Sequence, residues 1–299
     1  MSQIIGVIPI LATPFNKNGD INFIDYEKEC EFLINSDVNG IGLALGSEIF
    51  KLDFEEKEKL IKILYKSIHQ SKKKINIIIN TGTSSMNETI RLSKQAQDLG
   101  ADALMVMPPN LIALNDSEII QYYEAISNNV PLPIVMQDIS GASLSNNLIV
   151  NLANNIEHCR YVKLEVPPTP LKIEGLLNLN PKDLIILGGA SGNYYIEETL
   201  RGAKGTMPGS YIPDVFVKTY KLLKNNKWEE AYEYFNNYVP MLRYLSQGLS
   251  FSYYLSKYIL CKRGIFESNN VRPPSINPNA QAYKEMDSFI KQLKLSNEK

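Results

Sequence analysis

Histidine and cysteine are scarce in this chain of 299 residues, which has only two His (His69, His158) and three Cys (Cys30, Cys159, Cys261). The cysteines follow no paired spacing and no Cys/His cluster exists, so neither a zinc centre nor a disulfide framework is expected. A reduced, cytoplasmic chain with no metal site is the reading. Net charge is almost missing as well: 31 Lys and Arg against 32 Asp and Glu leave −1, which gives no electrostatic case for nucleic acid or an anionic membrane. The chain does not open on a basic region followed by a long apolar stretch, so no signal peptide and no membrane span are expected. A Gly-rich dinucleotide turn after the first apolar run is lacking too. That weakens a doubly wound, nucleotide-binding sheet as the architecture, and with it a nucleotide-dependent oxidoreductase.

What the chain does contain is a repeated period. Short runs rich in Ile and Val predict strands at 5–11, 40–45, 75–80, 103–107, 134–137, 161–165, 184–187 and 205–207, with helix-length polar segments between them. Helix-start signals sit in those segments: the acidic opening at Asp53–Glu56, a second at Asn115–Glu118, and a capping box at Ser85–Glu88. Eight βα units predict a TIM (β/α)8 barrel over 1–212, with its chemistry at the C-terminal strand ends. Beyond Pro213 the strand pattern stops. Helices are expected over 215–224, 228–245, 251–263 and 278–295, forming a C-terminal helical extension over 213–299 packed on the barrel. The aromatic stripe Trp228, Tyr232, Tyr234, Phe235 and Tyr238 reads as packing surface.

One charge stands out. Lys163 lies inside the apolar run Tyr161-Val162-Lys163-Leu164-Glu165. Burying an ammonium without a partner is costly, whereas a desolvated lysine can lose its proton and attack a carbonyl. Strand alternation puts Tyr161, Lys163 and Glu165 on one face, so Glu165 is either an ion-pair partner at a strand end or an acid/base group. Gly46, Ser47 and Glu48, in the loop after the second strand, are candidates for holding a carboxylate with backbone N–H groups and a hydroxyl. Gln137 ends the fifth strand and can orient a hydroxyl or carbonyl but cannot carry a proton. Gly188, opening the run Gly188–Gly192, and Met207, ending the last strand, are further substrate-contact candidates. Plain turn chemistry is the alternative for the glycines.

These residues together resemble the dihydrodipicolinate synthase/N-acetylneuraminate lyase family of class I, Schiff-base lyases, over nearly the whole chain. Gly6…Thr13-Pro14-Phe15…Gly19-Asp20-Ile21 is similar to that family's opening strand and loop. Gly40-Ile41-Gly42…Gly46-Ser47-Glu48…Leu52 is similar to its carboxylate loop, and Gly100-Ala101-Asp102-Ala103…Pro108-Pro109 to its fourth strand. Val162-Lys163-Leu164-Glu165 falls where the family has its Schiff-base lysine. The resemblance implies a TIM barrel with a helical extension, assembly as a homotetramer, a small-molecule 2-keto acid as substrate, and no cofactor beyond the lysine imine.

The departures narrow the reading. Leu45, Gly46 and Ser47 precede Glu48 where the family carries a Thr-Thr or Ser-Thr pair before Gly-Glu. Gln137 replaces the proton-relaying tyrosine. The arginine that grips the second substrate in dihydrodipicolinate synthases has no counterpart in Asp138-Ile139-Ser140-Gly141, and the fourth-strand tyrosine falls near Pro109-Asn110. Ser-Glu, Gln-Asp and Lys-x-Glu in these places resemble a branch that includes L-2-keto-3-deoxyarabonate dehydratase. The expected activity is dehydration or aldol cleavage of a 2-keto-3-deoxy sugar acid, with Lys163 as nucleophile, Glu48 or Glu165 moving protons and Gln137 orienting a hydroxyl. Pyruvate condensation and a non-catalytic keto-acid-binding barrel are the alternatives.

Overall fold

A computed structural model describes residues 3–296. Eight strands form one parallel sheet: β1 (Gly6–Val7), β2 (Gly40–Leu43), β3 (Asn76–Asn80), β4 (Ala103–Val106), β5 (Ile134–Asp138), β6 (Cys159–Leu164), β7 (Ile185–Gly188) and β8 (Gly205–Thr206). Their order is β1-β8-β7-β6-β5-β4-β3-β2, so the chain steps once around the sheet and returns to its start. The gap between β1 and β2 is bridged by Asn39. Its backbone N–H donates to Val7 O at 2.8 Å, and its side-chain oxygen accepts from Val7 N–H at 2.8 Å. The result is a nearly closed TIM barrel. Most strand residues are buried, as expected where both faces of a parallel sheet are covered.

Several elements are shorter than their sequence pattern, for local reasons. β1 stops before Pro9, which has no N–H to give the ladder, although Ile8 N–H still donates to Thr206 O at 2.9 Å. The expected helix over 228–245 is two helices, and Pro240 sits at the start of the second, where a missing N–H costs nothing. The reciprocal capping box expected at Ser85–Glu88 is only half made. Ser85 caps Glu88 N–H, while the Glu88 carboxylate pairs with Arg91. Asp53–Glu56 and Asn115–Glu118 make both halves.

The chain divides into two compact units that cross the expected boundary at 212/213. One holds the chain through Ile8, Asn39–Gly42 and Asn76–Met207. It contains the strands, β2 without its last residue Leu43, and the helices α3 (Met86–Asp98), α4 (Asp116–Asn129), α5 (Asn146–Asn155), α6 (Thr169–Leu177) and α7 (Tyr195–Leu200). The other holds Pro9–Val38, Leu43–Ile75 and Pro208–Lys299. There α1 (Phe23–Asn35) and α2 (Phe54–Ser71) join α8 (Pro213–Lys224), α9 (Trp228–Asn236), α10 (Val239–Leu245), α11 (Leu249–Lys262) and α12 (Ala280–Leu293).

Long-range polar contacts explain why α1 and α2 group with the C-terminal helices. Arg272 makes a two-pronged ion pair with Glu56 at 2.7 and 2.8 Å, donates to Gly19 O, and lies over the Phe15 ring. Asp25 accepts from Glu267 N–H at 2.7 Å. A planar guanidinium satisfies a carboxylate and carbonyls at once, which is why one arginine can join three segments.

Candidate active site

The first cluster lies in the strand-bearing unit, at the ends of β3, β5 and β6. Register pairs Lys163 with Gln137 on β5 and Leu187 on β7. Alternation along β6 then sets Tyr161 and Lys163 on one side, with Val162 and Leu164 on the other. Tyr161 accepts from Ile4 N–H at 3.1 Å, so the lysine is the reactive group left on that face. Its side chain is 6% exposed, and Nζ lies 3.0 Å from Glu165 Oε1. Glu165 directly follows β6 but stays in register, since its N–H donates to Asp138 O at 2.9 Å.

Around Glu165 the polar groups form a chain. Gln137 Nε2 donates to Glu165 Oε2 at 2.8 Å, and Asn80 Nδ2 donates to Gln137 Oε1 at 3.3 Å. Asn80 therefore fixes which way the Gln137 amide faces, and the amide in turn holds the carboxylate beside the ammonium. Glu165 is the most accessible member, with 14% of its side chain exposed. A carboxylate shared by an ammonium and an amide N–H, with a path to solvent, can pass protons. The amide cannot.

Gly188 and Gly189 give the adjoining wall. A Cβ on Gly189 would lie 2.3 Å from Glu165 Cγ, and one on Gly188 would lie 1.8 Å from Glu198 Oε2. Both glycines exist because carboxylate side chains lie against their backbone. Gly188 thus makes room for Glu198 of α7, and its carbonyl accepts from the N–H of buried Met207 at 2.9 Å.

The second cluster lies in the other unit and is tied up internally. Leu45–Ser47 and Ile49–Lys51 are single turns of 3-10 helix joined by Glu48 in the left-handed region (φ 56). Ser47 N–H donates to Ala44 O at 2.8 Å and Glu48 N–H to Leu45 O at 3.0 Å. The Ser47 hydroxyl donates to Leu11 O at 2.5 Å and accepts from Ala44 N–H at 3.1 Å. These bonds hold the loop together. Gly46 packs close to Ile10, whose Cγ2 would lie 3.0 Å from an added Cβ.

Glu48 is fully buried between two lysines, bonded to Lys257 of α11 through Oε1 and to Lys51 through Oε2 at 2.8 Å. Both of its carboxylate oxygens are engaged in that pairing. Lys257 also donates to Asn270 O at 3.0 Å and lies over the Phe15 ring. Burial pulls its pKa down to about 8, against the opposing pull of Glu48. Removing one partner of a buried pair strands the other charge. Lys257→Met is therefore expected to lower the unfolding free energy by about 3 kcal/mol, read from urea melts, with Lys51 limiting the loss.

Glu29, on α1, is also buried. It accepts from Ala12 N–H at 2.9 Å, and its Oε2 has no partner among the described residues. Burial raises its pKa to about 8, opposed by Ser210 and Ala12. The native state therefore keeps a proton that the unfolded chain releases above its ordinary value of 4.5. Between that pH and about 8 the unfolded state binds fewer protons, so this residue's contribution to stability falls as pH rises. Glu29→Gln should remove that fall. Relative to the parent protein, its melting temperature should gain more at pH 8 than at pH 5.

Asn80, Lys257 and Glu198 are the residues the pattern reading missed. Asn80 had a usable signal, a polar side chain closing the run Ile77-Ile78-Ile79, and Lys257 is the one charge in the stretch Tyr253-Tyr254-Leu255-Ser256-Lys257-Tyr258-Ile259-Leu260. The two histidines sit elsewhere: His158 bonds Ser127 and His69 stacks on Tyr65. Among the described residues no group of three His, Cys, Asp or Glu could hold a metal ion, and no helix is long and apolar enough to cross a membrane.

A barrel of this kind, with a buried lysine, a carboxylate and two amides gathered where the strands end, has the architecture of a TIM-barrel enzyme. Residues 3–293 match the model of the Dihydrodipicolinate synthetase family. The L-2-keto-3-deoxyarabonate dehydratase of Azospirillum brasilense is 24% identical over 294 residues, covering 93% of this chain and 91% of that one. The putative 2-dehydro-3-deoxy-D-gluconate aldolase YagE of Escherichia coli K12 is 23% identical over 300 residues, 97% of each chain. The crystal structure of YagE in complex with pyruvate has a TM-score of 0.90 over 98% of this chain and 100% of that one, at 21% identity. The dihydrodipicolinate synthase of Rhodopseudomonas palustris gives 0.89 at 26% identity, over 96% and 97%. The chain belongs to the dihydrodipicolinate synthetase family and is a lyase.

Proposed function

We propose that the chain is a class I lyase that joins Lys163 to C2 of a 2-keto-3-deoxy sugar acid as a Schiff base. The observation that carries this reading is the buried Lys163 ammonium 3.0 Å from a carboxylate that is itself held by Gln137. Glu165 takes the ammonium proton, the free amine adds to C2, and water leaves to give the imine. The protonated imine is the electron sink, so the chemistry asks for no cofactor. In dehydration Glu165 removes a C3 proton, electrons flow to the imine nitrogen, and their return expels the C4 hydroxyl as water with that same proton. In cleavage the C4 hydroxyl loses the proton, the C3–C4 bond breaks, and C3 of the resulting enamine regains it. One carboxylate serves either course, which is how the site manages with Gln137 in place of a tyrosine.

Support for the substrate class comes from the relatives named for 2-keto-3-deoxy sugar acids and from YagE, whose structure contains pyruvate. Pyruvate condensation is the poorer reading, because Asp138-Ile139-Ser140-Gly141 has no arginine to hold a second carboxylate. A panel of 2-keto-3-deoxy sugar acids, assayed together for pyruvate and for dehydrated 2-keto product, tests the proposal. Release of either product supports it and tells cleavage from dehydration. Silence across the panel, with turnover of pyruvate and an aldehyde acceptor, would overturn it.

A further inference from the structure

Asn80 closes β3 at the barrel end where TIM-barrel strands carry their chemistry, and only part of its amide is used. Alternation sets it opposite Thr81, whose hydroxyl lies 2.8 Å from that of Ser93 on α3, so Asn80 faces away from the helices and into the barrel. Its register partner is Met105 of β4, whose own partner on β5 is Val135, two residues before Gln137. The 3.3 Å bond from Asn80 to Gln137 therefore passes over β4 on the inner side, the side of Lys163. The polar chain also fixes how the Asn80 amide is turned. A Glu165 carboxylate only accepts, so Gln137 gives it an N–H and turns its own oxygen to Asn80, which meets that oxygen with an N–H. The Asn80 oxygen then faces elsewhere, and neither it nor the second N–H is hydrogen-bonded among the described residues. Asn80 is only 8% exposed. So nearly buried an amide, with an acceptor and a donor unused, is fitted to a partner from outside the chain.

We infer that Asn80 is a specificity-determining residue that accepts a hydrogen bond from the C5 hydroxyl of the substrate, so that the site selects 2-keto-3-deoxy acids hydroxylated at C5. The inference rests on Lys163 holding C2 and on Glu165 serving C3 and the C4 oxygen. Gln137 and Asn80 are the next groups along the same polar chain. Gln137 has its oxygen engaged by Asn80 and an N–H engaged by Glu165. Asn80 is thus the first group beyond the reacting atoms whose acceptor is unused, and the C5 hydroxyl is the first polar group of the substrate beyond them. A site with a buried amide waiting for a hydroxyl binds the analogue lacking it poorly, because the amide is then left unpaired.

The test compares two substrates in the parent and in Asn80→Leu. One is the 2-keto-3-deoxy acid that the parent turns over fastest. The other is its counterpart with hydrogen in place of the C5 hydroxyl, which for the pentonate is 4-hydroxy-2-oxopentanoate. The parent should prefer the hydroxylated acid by about 10–100-fold in kcat/KM. Asn80→Leu keeps the bulk of the side chain and removes its hydrogen bonding, and should bring the two acids close to parity. A merely structural role, acting through Gln137 and Glu165, would slow both acids alike and leave the preference in place, so the ratio reads the contact itself. A preference retained in folded Asn80→Leu overturns the inference, and so does a parent that turns over both acids equally well. Should Asn80→Leu not fold, Asn80→Ala makes the same comparison. A parent that turns over no 2-keto-3-deoxy acid overturns the substrate reading and this inference with it, whereas the other outcomes leave that reading standing.

Discussion

Lys163→Ala is expected to lose essentially all turnover, a fall of at least about 10⁴-fold in kcat. The size follows from the role assigned to the side chain. It becomes part of the intermediate, so nothing else in the site can replace the bond it forms. Lys163→Arg should fail nearly as badly, because a guanidinium keeps its charge and does not deprotonate to a nucleophile. Stability should respond differently. Deleting the ammonium leaves Glu165 with Gln137 as its partner and a partial route to solvent, so Lys163→Ala should stay folded by circular dichroism. Turnover near the parent level in folded Lys163→Ala would contradict the mechanism.

Glu165→Gln should be the next most damaging change, lowering kcat by about 10²–10⁴-fold, the usual worth of a positioned general acid or base. The substituted amide keeps the shape against Gly189 but can neither accept the ammonium proton nor shuttle one between C3 and the C4 oxygen. KM should move far less than kcat, because the lost interaction belongs to proton transfer. In the steady-state kinetics, the proposed role is refuted if the variant raises KM alone with kcat preserved.

Much of the architecture could be read from the chain, because barrel strands are buried on both faces and show up as apolar runs of Ile and Val. The same logic exposed Lys163, a charge where only aliphatics are expected. Strand ends were less legible: whether a run continues depends on ladder partners, as where Pro9 ends β1 while Glu165 stays in register beyond β6. The partners of the second cluster were less legible for a related reason. In Gly46-Ser47-Glu48, the Ser47 hydroxyl is bonded to Leu11 and Ala44 and the Glu48 carboxylate to Lys51 and Lys257, the last 209 residues distant. Nothing local foretells a partner so remote. Gly188 presents the same difficulty, since its sequence neighbours do not show that Glu198 lies against its backbone.

The central claim is a covalent imine at one named lysine. Borohydride reduction in the presence of pyruvate, followed by proteolysis and mass spectrometry, reads it directly. The account predicts a reduced pyruvyl adduct on the peptide carrying Lys163, absent without pyruvate and absent in Lys163→Ala. An adduct on Lys257 instead, or no adduct while the enzyme turns over its substrate, would contradict it.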